Sequence, residues 1–210
     1  MRALPESILK NAAGLGGAFA IVVVGDATRA LGDLAAFVRK AHSGVPLVAV
    51  TGSAGKTTTK EMCAAILSTT RRVLKTEGNK NNLIGLPLTL FSFDPATKAA
   101  VVELGISMPG EMTRLAEISS PDVALITNIG RSHLATLGSV DGVARAKGEL
   151  FFALKPGASI VVNLDDQRVV SIAQEACKAL KLSKVTYGLK RGGDVFVSGR
   201  HALDLESVLR

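Results

Sequence analysis

Lys56 and Thr57 close the stretch Thr51-Gly52-Ser53-Ala54-Gly55-Lys56-Thr57-Thr58, and such an ending can hold phosphate. The glycines let backbone N–H groups turn inward without Cβ clashes. A helix opening there adds partial positive charge. Lys56 supplies a full charge for terminal phosphates, and the Thr57 hydroxyl can ligate Mg²⁺. The full G-x-x-x-x-G-K-[ST] spacing would need glycine at Val50, so the pattern is shortened to T-G-x-x-G-K-T. The alternative is a strand–turn–helix junction whose lysine is a solvated surface charge.

Further candidates follow along the chain. Glu103 interrupts the apolar run Ala99 to Leu104. A carboxylate there is costly unless paired or metal-bound, and Mg²⁺ would satisfy it; otherwise it is a strand-end glutamate reaching solvent. Asn128 and His133 follow the apolar run Asp122 to Thr127, although a loop histidine alone is a weak signal. Lys147 lies four residues from both Val143 and Phe151, in a helical stripe completed by Leu150 and Leu154. A lysine on such a face either snorkels to its edge or, desolvated, offers a neutral amine. The loop Thr76 to Pro87, with Asn79, Asn81 and Asn82, can hydrogen-bond a polar substrate or serve only as a turn cluster. It lacks the Asn-Lys-x-Asp base reader of GTPases, because Asn82 stands where Asp is needed.

These residues need a scaffold, and strand and helix signals alternate. Strands are expected at Ala20–Val24, Pro46–Thr51, Arg72–Thr76, Ala99–Leu104, Asp122–Thr127 and Ala158–Asn163. Helices are expected at about 30–41, after the phosphate loop to Thr69, at 85–91, from Pro109 to Ile118, from a Ser139 cap to Leu154, and then to Leu180. Near-continuous apolar strands between helices define an α/β fold with a mostly parallel, doubly wound sheet. Val195 to Leu209 alternates weakly, as a small β-hairpin would. Ligands in such sheets bind at the carboxyl ends of strands. That rule gathers Lys56, Thr57, Glu103, Asn128 and His133 on one edge.

Composition narrows the function. The chain has 210 residues, 47% hydrophobic and 20% charged, enough for a sizeable core. Its net charge of +7 favours anionic partners. The basic residues are scattered, and aromatics are 4% with no Trp, so a nucleic-acid stacking platform is poorly supported. Phosphorylated small molecules fit better. The glycine-interrupted run before Gly25 is too short to span a membrane. Cys63, beside Met62 and Ile66, reads as core, and the two cysteines lack metal-ligand spacing. A cytoplasmic setting is expected.

Taken together, T-G-S-A-G-K-T-T-T-K-E-M, E-G-N-K-N-N-L-I-G-L-P-L-T-L, V-V-E-L-G, P-G-E-M, I-T-N-I-G-R-S-H-L, A-R-A-K-G-E-L-F and V-N-L-D-D resemble the central ATP-binding domain of the Mur ligases over about residues 20 to 200. Within that family they look most like the branch that joins D-alanyl-D-alanine to UDP-N-acetylmuramoyl-tripeptide. The resemblance implies that ATP phosphorylates the peptide carboxylate and that the dipeptide amine attacks the acyl phosphate. It implies phosphate binding by Gly52, Ser53, Ala54, Gly55, Lys56, Thr57 and Thr58. It implies one Mg²⁺ on Thr57 and Glu103, and a second supported by His133 and a carbamylated Lys147. It places Asn82 and Asn128 near the γ-phosphate and acyl group. It also implies that residues 1–45 are a remnant of an N-terminal substrate domain with a connecting helix, that 46–210 are the central domain, and that a C-terminal domain is absent. A chain so bounded is expected to be a monomer that binds nucleotide without ligase turnover. Two departures stand out, Ala135 after His-Leu and Ser107 after Gly-Ile, and neither removes a metal ligand.

Overall fold

The computed structural model describes residues 21–189 and 192–196. Its helices are α1 (Ala27–Ala41), α2 (Lys56–Ser68), α3 (Gly85–Leu90), α4 (Glu111–Ser119), α5 (Leu134–Leu137), α6 (Val140–Phe152) and α7 (Gln167–Ala179). Its strands are β1 (Leu47–Thr51), β2 (Val73–Lys75), β3 (Ala99–Glu103), β4 (Val123–Ile126), β5 (Ser159–Asn163), β6 (Ser183–Gly188) and β7 (Val195–Phe196). They form one sheet in the order β2-β3-β1-β4-β5-β6-β7, with every described pairing parallel. This is the expected mostly parallel α/β fold.

Strand alternation sorts the apolar side chains into two layers. Leu47, Ala49, Ala100, Val102, Ala124, Ile126, Ile160 and Val162 face the larger core, shared with α1, α3, α4, α6 and α7. Val50, Val101 and Leu125 face the opposite side, where α2 covers them with Ala64, Cys63 and Leu67. Glu103 has the same parity as Val101, so it emerges on the α2 side of the sheet. Side-chain caps fix where several helices begin. Asp26 Oδ1 accepts from Arg29 N at 2.9 Å, and Ser139 Oγ accepts from Gly142 N at 3.0 Å. Asp166 caps α7 through Arg168 N and Val169 N.

Arg39 joins α1 to the strand entrances. It is only 3% exposed and donates five hydrogen bonds. Nε reaches Ser119 O, Nη1 reaches His42 O and Val45 O, and Nη2 reaches Ser120 O and Asp122 Oδ2. The second Asp122 contact is Leu47 N at 2.8 Å, the first amide of β1.

Several expectations need correction. Ile21–Val24 form no strand and lie exposed, with Val22 at 80%, because no described strand offers them a ladder. Pro109 is not the first residue of its helix. Glu111 Oε2 accepts from Ser107 N and Met108 N, which closes a turn ahead of the helix, and α4 starts after Gly110. Met62 and Ile66 are exposed, while half-buried Cys63 packs against the smaller core and burial pushes its thiol pKa up. Strand β6 was not anticipated; its exposed first three residues, Lys184 among them, break the apolar run by which the other strands are read. The short α5 was also missed. Val195–Phe196 of the expected hairpin pair parallel to β6, and 197–209 lie outside the described residues, as do Ala20 and the segment before it. No helix among the described residues is long and apolar enough to cross a membrane.

Candidate functional site

The carboxyl ends of β1, β3 and β4 meet around the loop Gly52–Gly55. Its amides are shared between the protein and open space. Ser53 N donates to Asn128 O, and Ala54 N donates to Asn128 Oδ1 at 3.0 Å. Asn128 Nδ2 returns a bond to Ala54 O at 3.0 Å, and Thr127 Oγ1 donates to the same oxygen at 2.6 Å. Ser53 Oγ accepts from Gly130 N and lies 3.1 Å from Ser132 Oγ. Gly52 has φ +149°, and a Cβ there would fall 1.9 Å from Thr127 Oγ1. Gly55, at φ +77°, turns the chain into α2. The amides of Lys56, Thr57 and Thr58 have no intrahelical acceptor, as at any helix start. Thr59 N is the first satisfied, by Gly55 O. Lys56 Nζ folds back on Gly52 O at 3.1 Å. An anion would find amides, a helix N-terminus and this ammonium together.

Glu103 is 2% exposed and fully engaged. Its Oε2 accepts from Thr57 Oγ1 at 2.8 Å, its Oε1 accepts from Asn81 Nδ2 at 2.9 Å, and its amide donates to Thr76 Oγ1 at 3.0 Å. Thr76 O in turn accepts from Lys60 Nζ at 2.7 Å, a lysine 1% exposed that also pairs with Glu61 Oε1. Glu61 bridges to Lys75 as well, and these hydrogen bonds hold its carboxyl down at about 2. A carboxylate oxygen beside a threonine hydroxyl, at a phosphate-binding turn, is the all-oxygen donor set that suits Mg²⁺, with phosphate and water completing it.

The other expected residues are placed less uniformly. Lys147 is 1% exposed in the α6 stripe, with Val143, Leu150 and Phe151 beside it at 0%. It has no hydrogen bond or ion pair among the described residues. Burial lowers its pKa to about 8, and the positive charge of Lys56 adds to the shift, so the amine faces the phosphate loop's field. His133 is exposed in a left-handed conformation (φ 51°) that opens α5, and its imidazole has no hydrogen bond among the described residues. Asn82 Oδ1 accepts from Ile84 N and Gly85 N, capping the entry to α3. The structure thus brings Thr57 and Glu103 together and joins Asn128 to the loop. No hydrogen bond or ion pair ties His133 or Asn82 to that pair. Sequence reasoning left Asn81 and Thr76 as members of the amide-rich loop without a role of their own, and missed Thr127 and Lys60. Asn81 and Thr76 follow the carboxyl end of β2, so the strand-end rule applied to that strand would have found them.

A neutral Lys147 at pH above 8 has a thermodynamic consequence. Between about 8 and its ordinary 10.5, the unfolded chain keeps a proton that the folded chain has released, so stability rises with pH across that window. Lys147→Met is expected to remove that rise and to stabilise the chain at pH 7 by ~2 kcal/mol, discounted for relaxation. Thermal melts from pH 7 to 10.5 check this, and equal slopes in the two proteins would refute it.

The sheet and its glycine-rich turn define an α/β domain of the P-loop type. The chain belongs to the Mur ligase family: the profile described as "Mur ligase middle domain" matches residues 50–207. Among curated relatives, the UDP-N-acetylmuramoyl-tripeptide–D-alanyl-D-alanine ligases of Bacillus subtilis and Escherichia coli are 46% and 44% identical over 68% and 69% of this chain. These stretches make up 31% and 32% of the relatives, so the chain spans about a third of their length. MurF from Acinetobacter baumannii superposes with TM-score 0.79 at 39% identity, covering 84% of this chain and 38% of that one. MurF from Thermotoga maritima, solved with ADP, gives 0.77 at 30%, covering 90% and 45%.

Proposed function

We propose that this chain is the ATP-binding core of a ligase that adds D-alanyl-D-alanine to UDP-N-acetylmuramoyl-tripeptide through an acyl phosphate, in the cytoplasm, during peptidoglycan precursor synthesis. The observation that carries the reading is the Thr57–Glu103 contact at the mouth of the loop, in a chain sharing 40–46% identity with ligases of that name. The reaction transfers a phosphoryl group, so the protein's work is positioning and charge neutralisation. Gly52 to Thr58 would cradle the phosphates, with Lys56 neutralising the terminal ones. Thr57 and Glu103 would hold one Mg²⁺, which supplies charge stabilisation at the phosphates. Lys147, with its lowered pKa, is suited to carbamylation, and its new carboxylate with His133 would support a second ion. A carbamate signal from ¹³C-bicarbonate that is absent in Lys147→Met tests that assignment. Asn128 would keep the loop shaped, and Asn82 would order the segment before α3. Residues 46–210 would form the central domain, with 1–45 its lead-in.

The decisive experiment is calorimetry with Mg²⁺ and ATP or ADP on the wild type and Lys56→Ala. Loss of a charge-assisted phosphate contact is expected to weaken binding about 10–100-fold. Equal affinities in the two proteins would sink the phosphate-loop assignment.

A further inference from the structure

The Asn-rich loop after β2 holds one asparagine that the proposed chemistry leaves without a task. Asn81 Nδ2 donates to Glu103 Oε1 at 2.9 Å, while Thr57 Oγ1 occupies the other oxygen, Oε2, at 2.8 Å. The backbone locks the asparagine in place. Asn81 O accepts from Gly105 N at 2.8 Å, and Asn81 N donates to Asn79 O at 2.8 Å. A Cβ on Gly105 would come within 2.9 Å of the Asn81 amide, so the glycine leaves the space that this side chain fills. Below it, buried Lys60 holds Thr76 O and Thr76 Oγ1 holds the Glu103 amide. The carboxylate is therefore pinned from its backbone and from one oxygen, with only the Thr57-side oxygen facing the phosphate turn.

We propose that Asn81 is a positioning residue that sets the metal preference of this site by reserving Glu103 Oε1 and leaving one carboxylate oxygen to the ion. This rests on the reading of Thr57 and Glu103 as Mg²⁺ ligands. Mg²⁺ demands near-octahedral geometry and is usually held through one or two carboxylates with water and phosphate. Ca²⁺ takes more oxygens and readily accepts both from one carboxylate. A carboxylate with one oxygen committed to an amide donor suits the first ion and handicaps the second. Freed of that donor, Glu103 can turn and offer both oxygens.

The test is calorimetric titration of ADP into the 210-residue chain in MgCl₂, in CaCl₂ and in EDTA, for the wild type, Asn81→Leu and Asn81→Ala. Leucine keeps the volume without the donor. Alanine removes both, and serves if the leucine variant melts early. The wild type is expected to bind ADP more tightly with Mg²⁺ than with Ca²⁺. In the variants the Mg²⁺-supported affinity should fall about 10–100-fold, the usual effect of losing a partner of a ligating carboxylate. Affinity in CaCl₂ should hold or rise and affinity in EDTA should change little, so the Mg²⁺-to-Ca²⁺ ratio collapses. A merely structural role would weaken all three conditions alike and leave the ratio unchanged, and that result would overturn the proposal. A wild type that binds ADP equally in MgCl₂ and EDTA would instead overturn the metal reading of Thr57 and Glu103 itself.

Discussion

Gly52→Ala is expected to abolish nucleotide binding and to destabilise the fold by about 3 kcal/mol, the upper end of the usual range of about 1–3 kcal/mol for forcing atoms into a filled site. The added Cβ would sit 1.9 Å from Thr127 Oγ1 and 3.1 Å from Thr127 Cβ and N. Thr127 cannot yield freely, because its hydroxyl holds Ala54 O and its amide pairs with Thr51 O. Moving it would release the oxygen that also binds Asn128 Nδ2, so the clash propagates into the loop. Gly55→Ala is the control. It too has a positive φ, +77°, but no atom lies within 4 Å of its built Cβ, so only backbone strain of about 1–2 kcal/mol is expected. Urea unfolding and ADP titration of both variants separate the cases. A Gly52→Ala protein as stable as wild type would show that the Thr127 contact relaxes without cost.

The second large effect belongs to Arg39. Arg39→Met keeps much of the side-chain volume but strands Ser119 O, Ser120 O and Val45 O, which now accept from it, while His42 O keeps its bond from Val45 N. Each orphaned buried acceptor costs on the order of 1–3 kcal/mol, and partial solvent access at the loop reduces the sum. We expect a loss of about 3 kcal/mol, which for a chain of this length lowers the melting midpoint by roughly 6–12 °C. Asp122→Asn should cost much less, within about 1 kcal/mol, because that carboxylate is half exposed. If the two substitutions cost the same, the ion pair rather than the carbonyl contacts carries the stability.

Much of this was legible in the sequence because parallel strands buried on both faces are written as apolar runs. The strands at 47–51, 99–103, 123–126 and 159–163 fall inside the segments that those runs marked. Ser139 named its own helix start through its side-chain oxygen. The loop, Glu103 and Lys147 were legible because each breaks a local rule: glycines in a turn after a strand, a carboxylate in a strand, a lysine in an apolar stripe. What stayed hidden depends on partners distant in sequence. Composition makes Ile21–Val24 look like a strand, but only a neighbouring ladder makes one. Asn81 looked like any other turn asparagine until β3 brought Glu103 beside it. Asn128 was placed on the right edge by the strand-end rule, but its two hydrogen bonds to Ala54 follow from the parallel pairing of β1 with β4 and from no spacing along the chain.

The strand order also carries a consequence for how the chain comes off the ribosome. β1 sits between β3 and β4, with Val48 opposite Val101 on one side and Val123 on the other. Neither neighbour exists when β1 is made. At about 5–20 residues per second, the apolar segment 47–51 waits several seconds for its first ladder and longer for its second. The sheet therefore cannot grow outward from its earliest strand. It must close around it, a non-local search that slows folding. During that wait the segment exposes unpaired backbone groups and apolar side chains to solvent, to chaperones and to other nascent copies. A phosphate loop anchored to both later strands cannot take shape before β4 has emerged.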